Sequence, residues 1–244
     1  MPSRREENKS RRASRKLALI EKELKNKLTK FYNKNIKKSK LPISILREKY
    51  ERYVHNLIKK TVDEGYKAGI STLEDEIASK IGDFPLFTST TDIDNIDSLS
   101  RAYNEQFWIT SGKLHDREIA PPTQTNEQGE IVPLALFDVA AAMIGLTALF
   151  AWGAFNTSVT SKSQEITTQI NTGAGPNVTT AGTEINIPMS TKLMFMTAED
   201  VRVDKKICFP LHGKEFDAFD PQIPVPPLHR FCRCRLIPVL EFLG

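Results

Sequence analysis

At 244 residues and 40% hydrophobic content, the chain is long enough for one or two domains with a buried core. This composition excludes a wholly disordered or fibrous protein. The three cysteines are odd in number and confined to positions 208–234, which argues against a disulfide framework, and the charged first 16 residues lack the apolar core of a secretory signal peptide. We therefore expect the protein to be made and used in a reducing compartment.

The formal charge is distributed unevenly along the chain. Residues 1–60 hold 20 Lys/Arg and 6 Asp/Glu, a net charge of +14, whereas residues 61–244 hold 14 and 24, a net charge of −10. A basic segment on an acidic body indicates a polyanionic partner, usually nucleic acid; an anionic lipid, an acidic protein surface and a solvated tail without a partner are the alternatives. The residues predicted to bind nucleic acid are Arg4, Arg5, Arg11, Arg12, Arg15 and Lys16.

Residues 1–118 are predicted to form a basic helical region with a disordered start. Residues 1–13 are polar and basic and have no apolar surface to bury, so we expect them to be disordered in isolation. From Ser14 onward apolar residues recur every three or four positions, which predicts one buried face of a helix, and Pro42 ends the pattern. The apolar residues of that face are Leu17, Ile20, Leu24, Leu28 and Phe31.

A second helix follows Pro42 and is expected to end or break near Gly65 and Gly69. Residues 70–82 are predicted to form a third helical segment. The Asp-, Ser- and Thr-rich residues 83–100 are predicted to form a loop or a short strand. Residues 119–133 contain three prolines, a glycine and several polar residues, and this composition predicts a linker between the first region and residues 134–244.

Residues 134–155 form the most apolar stretch of the chain. Within it, 17 consecutive residues from Val139 to Phe155 are uncharged, whereas a membrane span needs about 20 apolar residues. Extending the run toward the N-terminus includes Asp138, which is costly at a bilayer centre. Two interpretations follow, a core helix buried in protein and a helix that inserts into a membrane. The β-branched residues after this stretch are compatible with strands.

Five of the seven Cys and His residues of the chain lie in the 27-residue window 208–234. They are Cys208, His212, His229, Cys232 and Cys234. Thiolate and imidazole together suit zinc, and two ligand clusters separated by a proline-rich turn are typical of a structural zinc site. The alternative is that the cysteines pack as small apolar residues while His229 caps a turn.

The same C-terminal residues carry an ordered motif. It reads Thr197-Ala-Glu-Asp200-Val-Arg202, Cys208, Pro210-Leu-His-Gly-Lys214 with Phe216, Pro226-Pro-Leu-His229, Cys232-Arg-Cys234 and Pro238. This run resembles the conserved end of the Mu F-like family of minor head proteins of tailed viruses, over about 45 residues. The chain departs from the family's pattern in two places, since Asp204 lies near the place of a usual cysteine and Arg230 replaces a usual proline.

The resemblance implies a structural zinc ion held by Cys208, His229, Cys232 and Cys234, with His212 or Asp204 as substitutes. It also implies a low-copy structural protein of the virion head interior, present in the host cytoplasm during assembly, without enzymatic activity. Its expected partners are the portal, other capsid proteins and viral double-stranded DNA, which the basic arm would contact without reading sequence.

The fold class predicted is α+β, with a helical basic N-terminal region, a central apolar helix and a small loop- and strand-rich C-terminal module that zinc would hold together. Two other functions remain as alternatives. One is a membrane-associated protein anchored by residues 134–155. The other is a zinc-dependent nucleic-acid enzyme, against which the sequence offers no His-Glu-x-x-His motif and no glycine-rich phosphate loop.

Overall fold

Four long helices and a small antiparallel sheet dominate the part of the chain that the computed structural model describes, namely residues 2–81, 90–119, 123–125, 131–133, 139–171, 178–180, 183–185, 189–198, 203–229 and 231–242. The helices are α1 (Arg4–Asn35), α2 (Ile43–Ile81), α3 (Thr90–Ile119) and α4 (Val139–Asn171). Two short hairpins are formed by β1 (Thr123–Thr125) with β2 (Ile131–Pro133) and by β3 (Val178–Thr180) with β4 (Thr183–Ile185). A three-stranded sheet has the order β6 (Glu215–Asp217), β5 (Met189–Met196), β7 (Arg235–Phe242), with both pairs antiparallel. The α+β prediction is confirmed.

Helix α1 begins at Arg4, so residues 4–13, which we expect to be disordered in isolation, are helical in the folded protein. A capping box starts the helix: the Glu6 backbone N–H donates to the Ser3 hydroxyl at 3.3 Å, and the Ser3 backbone N–H donates to the Glu6 carboxylate. Ser10 and Ala13 are buried against the rest of the protein. The segment lacks an apolar surface of its own, but tertiary packing covers one of its faces.

Helix α2 continues without a break through Gly65 and Gly69, so the predicted end of the helix there is wrong. Both glycines face α4. A Cβ atom at Gly65 would lie 2.7 Å from the carbonyl oxygen of Ala151, and one at Gly69 would lie 2.7 Å from that of Phe155. The glycines are therefore needed because two helix backbones approach each other here more closely than any side chain would allow.

Helix α3 begins at Thr90, so the loop or strand predicted for residues 83–100 is wrong from that residue onward; residues 82–89 lie outside the described part. Asp, Ser and Thr are poor helix formers in a helix interior. Here they are held by tertiary contacts, since Asp92 and Ser100 are buried and the Asp92 carboxylate lies 2.7 Å from the ammonium of Lys162 in α4.

Helix α4 lies at the centre of the protein and contacts α1, α2, α3, β5 and β7. By length and composition, its segment Ala141–Gln169 could cross a membrane, and among the described residues it is the one helix of this kind. However, 78% of its most apolar window is buried inside the protein, which favours the interpretation as a core helix. Residues 134–138, at the start of the predicted apolar stretch, lie outside the described residues.

Two hydrophobic clusters cross the domain boundary predicted at residues 119–133, part of which forms the β1–β2 hairpin. The first joins α1, α2, α3 and α4 through residues such as Phe31, Tyr66 and Phe150. The second joins α1 and α4 to the sheet and contains all three cysteines. The C-terminal module therefore shares its core with the helices and does not form a separate layer.

Candidate metal centre and basic face

The side chain of Asp204 shapes the turn that presents Cys208. Its Oδ1 accepts hydrogen bonds from the backbone N–H groups of Lys206 at 2.7 Å and Ile207 at 2.8 Å. Its carbonyl oxygen accepts a further bond from the Cys208 N–H at 3.0 Å. These backbone bonds lower the pKa of Asp204. A short 3-10 helix, Phe209–Leu211, follows, and Cys208 is fully buried beneath it.

A second turn presents His229 and Cys232. The Cys232 N–H donates to the His229 carbonyl at 3.1 Å, and Phe231 between them adopts a φ of 64°. A left-handed backbone costs a residue with a bulky side chain about 1–2 kcal/mol, so tertiary contacts must maintain this conformation. Asn156, a fully buried residue of α4, holds the chain on both sides of this turn, because its Nδ2 donates to the Pro226 carbonyl at 3.4 Å and to the Cys234 carbonyl at 3.3 Å.

Cys208, His229 and Cys232 converge although more than 20 residues separate the first from the other two. Their donor atoms all lie within 4.8 Å of one another, and these three form the group of described residues that could hold a metal ion. The His229 Nε2 lies 3.1 Å from the Cys208 Sγ, and the Cys208 and Cys232 sulfurs are 3.8 Å apart. A tetrahedral ion with Zn–S bonds of about 2.3 Å would hold two sulfurs about 3.8 Å apart. The sulfur separation therefore fits a metal with thiolate and imidazole ligands, and the Nε2–Sγ pair would have to separate by about 0.4 Å to bind the same ion.

The three thiols have different proton affinities. Burial raises the pKa of Cys208 to about 11. A hydrogen bond from the Cys234 thiol lowers the pKa of Cys232 to about 5, although burial opposes this change. The same hydrogen bond is the main reason that the pKa of Cys234 is raised. The Cys234 thiol thus influences the proton affinity of both Cys232 and Cys208, and all three cysteines are free.

Two of the ligands predicted from the sequence have other positions. His212 lies apart from the cluster, because its Nδ1 accepts from the Thr197 N–H at 3.3 Å and lies 2.9 Å from the Thr197 hydroxyl. Cys234 contacts Cys232 but is not among the three residues whose donors are all mutually close. The structure thus brings together three of the five predicted metal residues.

A pocket of about 490 Å³ lies beside the cluster, between α3, α4 and residues 227–229, 231 and 232. His229 and Cys232 form part of its wall, whereas Cys208 does not. The remaining described wall is mainly apolar, with Lys113 of α3 as its charged residue. Nothing in the sequence indicated this pocket, because it is formed by three segments that are distant along the chain.

The six residues predicted to bind nucleic acid are exposed on α1. At 100° per residue they occupy an arc of about 140°, centred about 175° from the buried face of the helix. Arg5 is 4.0 Å from the Glu76 carboxylate of α2. The whole helix holds 12 Lys/Arg and 4 Asp/Glu, a net charge of +8. The arrangement is a basic face on a helix whose opposite face is part of the core.

Neither a family model nor a curated protein nor a solved structure matches this chain. The resemblance of its C-terminal residues to Mu F-like minor head proteins stays a prediction.

Proposed function

We propose that this protein is a structural minor head protein of a tailed virus or provirus, acting in head morphogenesis near the portal and contacting packaged DNA. The main support is that three residues of the C-terminal motif come together at one candidate metal centre. Cys208 and His229, which are 21 residues apart, have side-chain atoms 3.1 Å apart, and Cys232 joins them from the same turn as His229. Its expected location is the virion head interior, with the portal and other capsid proteins as partners.

Purified virions from a strain that encodes the protein provide the direct test of this proposal. Mass spectrometry should detect the protein in particles at low copy number, and also in DNA-free heads isolated before packaging. Its detection only in the membrane fraction of the host, and in no particle, would instead support the membrane-associated alternative.

The basic face of α1 supplies the proposed contact with DNA. Arginine and lysine side chains neutralise phosphates without reading sequence, which suits a protein that meets whichever genome segment lies beside it. Because the other face of the helix buries Leu17, Leu24 and Leu28, deletion of the arm would also damage the core. Surface substitutions therefore test the contact better than truncation does.

The test compares two pairs of adjacent exposed basic residues in the full-length protein. Arg11→Ala with Arg12→Ala changes the basic face, and Lys205→Ala with Lys206→Ala removes the same charge beside the cysteine turn. Each lost phosphate contact lowers the slope of log affinity against log salt by about 0.9 for duplex DNA, so the first pair should lower it by about 1.8 and the second should leave it unchanged. Equal slopes for the two variants would refute an interface on α1.

We further propose that the metal is zinc and that its role is to tie the Cys208 turn to the His229–Cys232 turn. Thiolates with imidazole favour zinc over magnesium or calcium, and each ligand must lose its proton to bind. Elemental analysis of protein purified without added metal should find about one zinc per chain. Cys232→Ser should abolish that stoichiometry, whereas His212→Asn should keep it. Metal-free protein with an unchanged fold would instead leave the cysteines as core residues.

A further inference from the structure

We propose that this metal centre has only three protein ligands and that its fourth coordination position opens to the 490 Å³ pocket, where it binds a carboxylate carried on a small apolar body. This inference goes beyond a head protein's structural role, and it rests on the metal proposed above. It predicts that the centre binds a small molecule as well as stabilising the fold.

The position of the metal relative to the pocket follows from where each ligand lies. Cys208 is fully buried and does not line the pocket, whereas His229 and Cys232 form part of the pocket wall. An ion bound to all three therefore lies between the buried Cys208 sulfur and the pocket. Cys234 is the remaining thiol nearby and it interacts with both Cys208 and Cys232, but it lies outside the group whose donor atoms are all mutually close. The position opposite Cys208 is thus left to the pocket.

The composition of the pocket indicates the class of ligand. A volume of about 490 Å³ lies within the range of about 300–1,000 Å³ typical of small-molecule sites. Leu114, Leu146, Leu149 and Phe231 line it and suit an apolar body. A divalent ion with two thiolates and a neutral imidazole has no net charge, so an added carboxylate gives the centre a net negative charge. Lys113, which is exposed on the pocket wall, supplies the compensating positive charge.

Full-length protein loaded with Co2+ in place of zinc reports directly on the fourth position, because its visible ligand-field bands respond to a changed ligand. Titration with 4-phenylbutyrate should shift these bands with saturation, and it should bind about tenfold or more tightly than acetate, which has the same head group without the apolar body. Bands that respond to neither carboxylate, with Co2+ bound, would overturn this inference alone. Absence of Co2+ binding would overturn both this inference and the metal proposed above.

Three variants separate the pocket from the metal. Gly145→Leu places a side chain in the pocket from α4 and should abolish the phenylbutyrate response, while Gly112→Ala, outside the pocket, should keep it. Lys113→Ala should weaken phenylbutyrate several-fold without loss of Co2+. Cys234→Ser should leave the thiolate-to-cobalt absorption unchanged, since two thiolates bind in either case. A fall of that absorption by about one third would make Cys234 the fourth ligand and overturn the proposal.

Discussion

Replacement of Gly69 by alanine is expected to destabilise the protein, although alanine is the better helix former. In a helix interior, alanine is favoured over glycine by about 1 kcal/mol. At Gly69 the added Cβ would overlap the hydroxyl of Ser158 and lie 2.7 Å from the carbonyl oxygen of Phe155, which is backbone and cannot rotate away. The Ser158 hydroxyl donates a 2.8 Å hydrogen bond to the same carbonyl, so moving the hydroxyl aside would break that bond.

The size of the effect follows from how far the helices must separate. An ordinary carbon–oxygen contact is roughly 0.5 Å longer than the 2.7 Å available, and overpacking of this kind costs about 2–3 kcal/mol. Subtracting the gain in helix propensity leaves a net loss of about 1–2 kcal/mol in the free energy of unfolding. For a chain of this size, that corresponds to a thermal midpoint lower by about 2–8 °C.

Gly112→Ala is the matched control, because its added Cβ would lie 3.7 Å from two carbons of Ile43, an ordinary contact. It should stabilise the protein by up to about 1 kcal/mol. Urea unfolding followed by far-ultraviolet circular dichroism measures both variants against the original chain. If Gly69→Ala proves as stable as the original chain, or more stable, the close approach of α2 and α4 does not constrain the fold as argued.

Three further predictions concern the core and the metal centre. Lys162→Met should cost about 3–5 kcal/mol, because the buried Asp92 carboxylate loses the ammonium 2.7 Å away; adding Asp92→Asn should recover part of this in urea unfolding, and no recovery would refute the pairing. Burial raises the pKa of Tyr66 to about 12 and also raises that of Tyr103. Since the unfolded chain loses these protons near pH 10, stability should be complete below about pH 10 and fall toward pH 12, with the part of the phenolate absorbance that comes from Tyr66 and Tyr103 appearing only as the protein unfolds. A chelator at neutral pH should lower the thermal midpoint of the original protein but not of Cys232→Ser; equal responses would place the metal elsewhere.

Periodicity was sufficient to predict the buried face of α1 and the central apolar helix, because both patterns are local. It failed where packing between distant segments decides the structure. Gly65 and Gly69 have the composition of a helix end, yet they lie inside α2 because α4 requires a surface without side chains. Asp92 belongs to a segment that resembles a loop in composition, and the Lys162 ammonium and the Tyr66 hydroxyl make it suitable for a helix in the core.

The candidate site was predicted in the same uneven way. Clustering of Cys and His along the chain identified Cys208, His229 and Cys232, since the residues of a metal site often lie in two short segments. The spacing of residues along the chain could not show that His229 belongs to the metal group whereas His212 contacts Thr197. The role of Asn156 was not predicted, because the sequence does not show which distant backbone carbonyl a polar side chain in an apolar helix will hydrogen-bond to.

The contacts between α1 and β7 join segments that are synthesised far apart in time. Arg235 in the last strand hydrogen-bonds to Ser10, and Arg233 hydrogen-bonds to Glu21. At about 5–20 residues per second, synthesis of the intervening 200 or so residues takes roughly 10–40 s. Helix α2 can cover part of the apolar face of α1 soon after it is made, because the two helices pack together. The part of α1 that includes Leu17 also packs against α4 and the sheet, which are synthesised much later. That part of the apolar face therefore stays uncovered longest during synthesis.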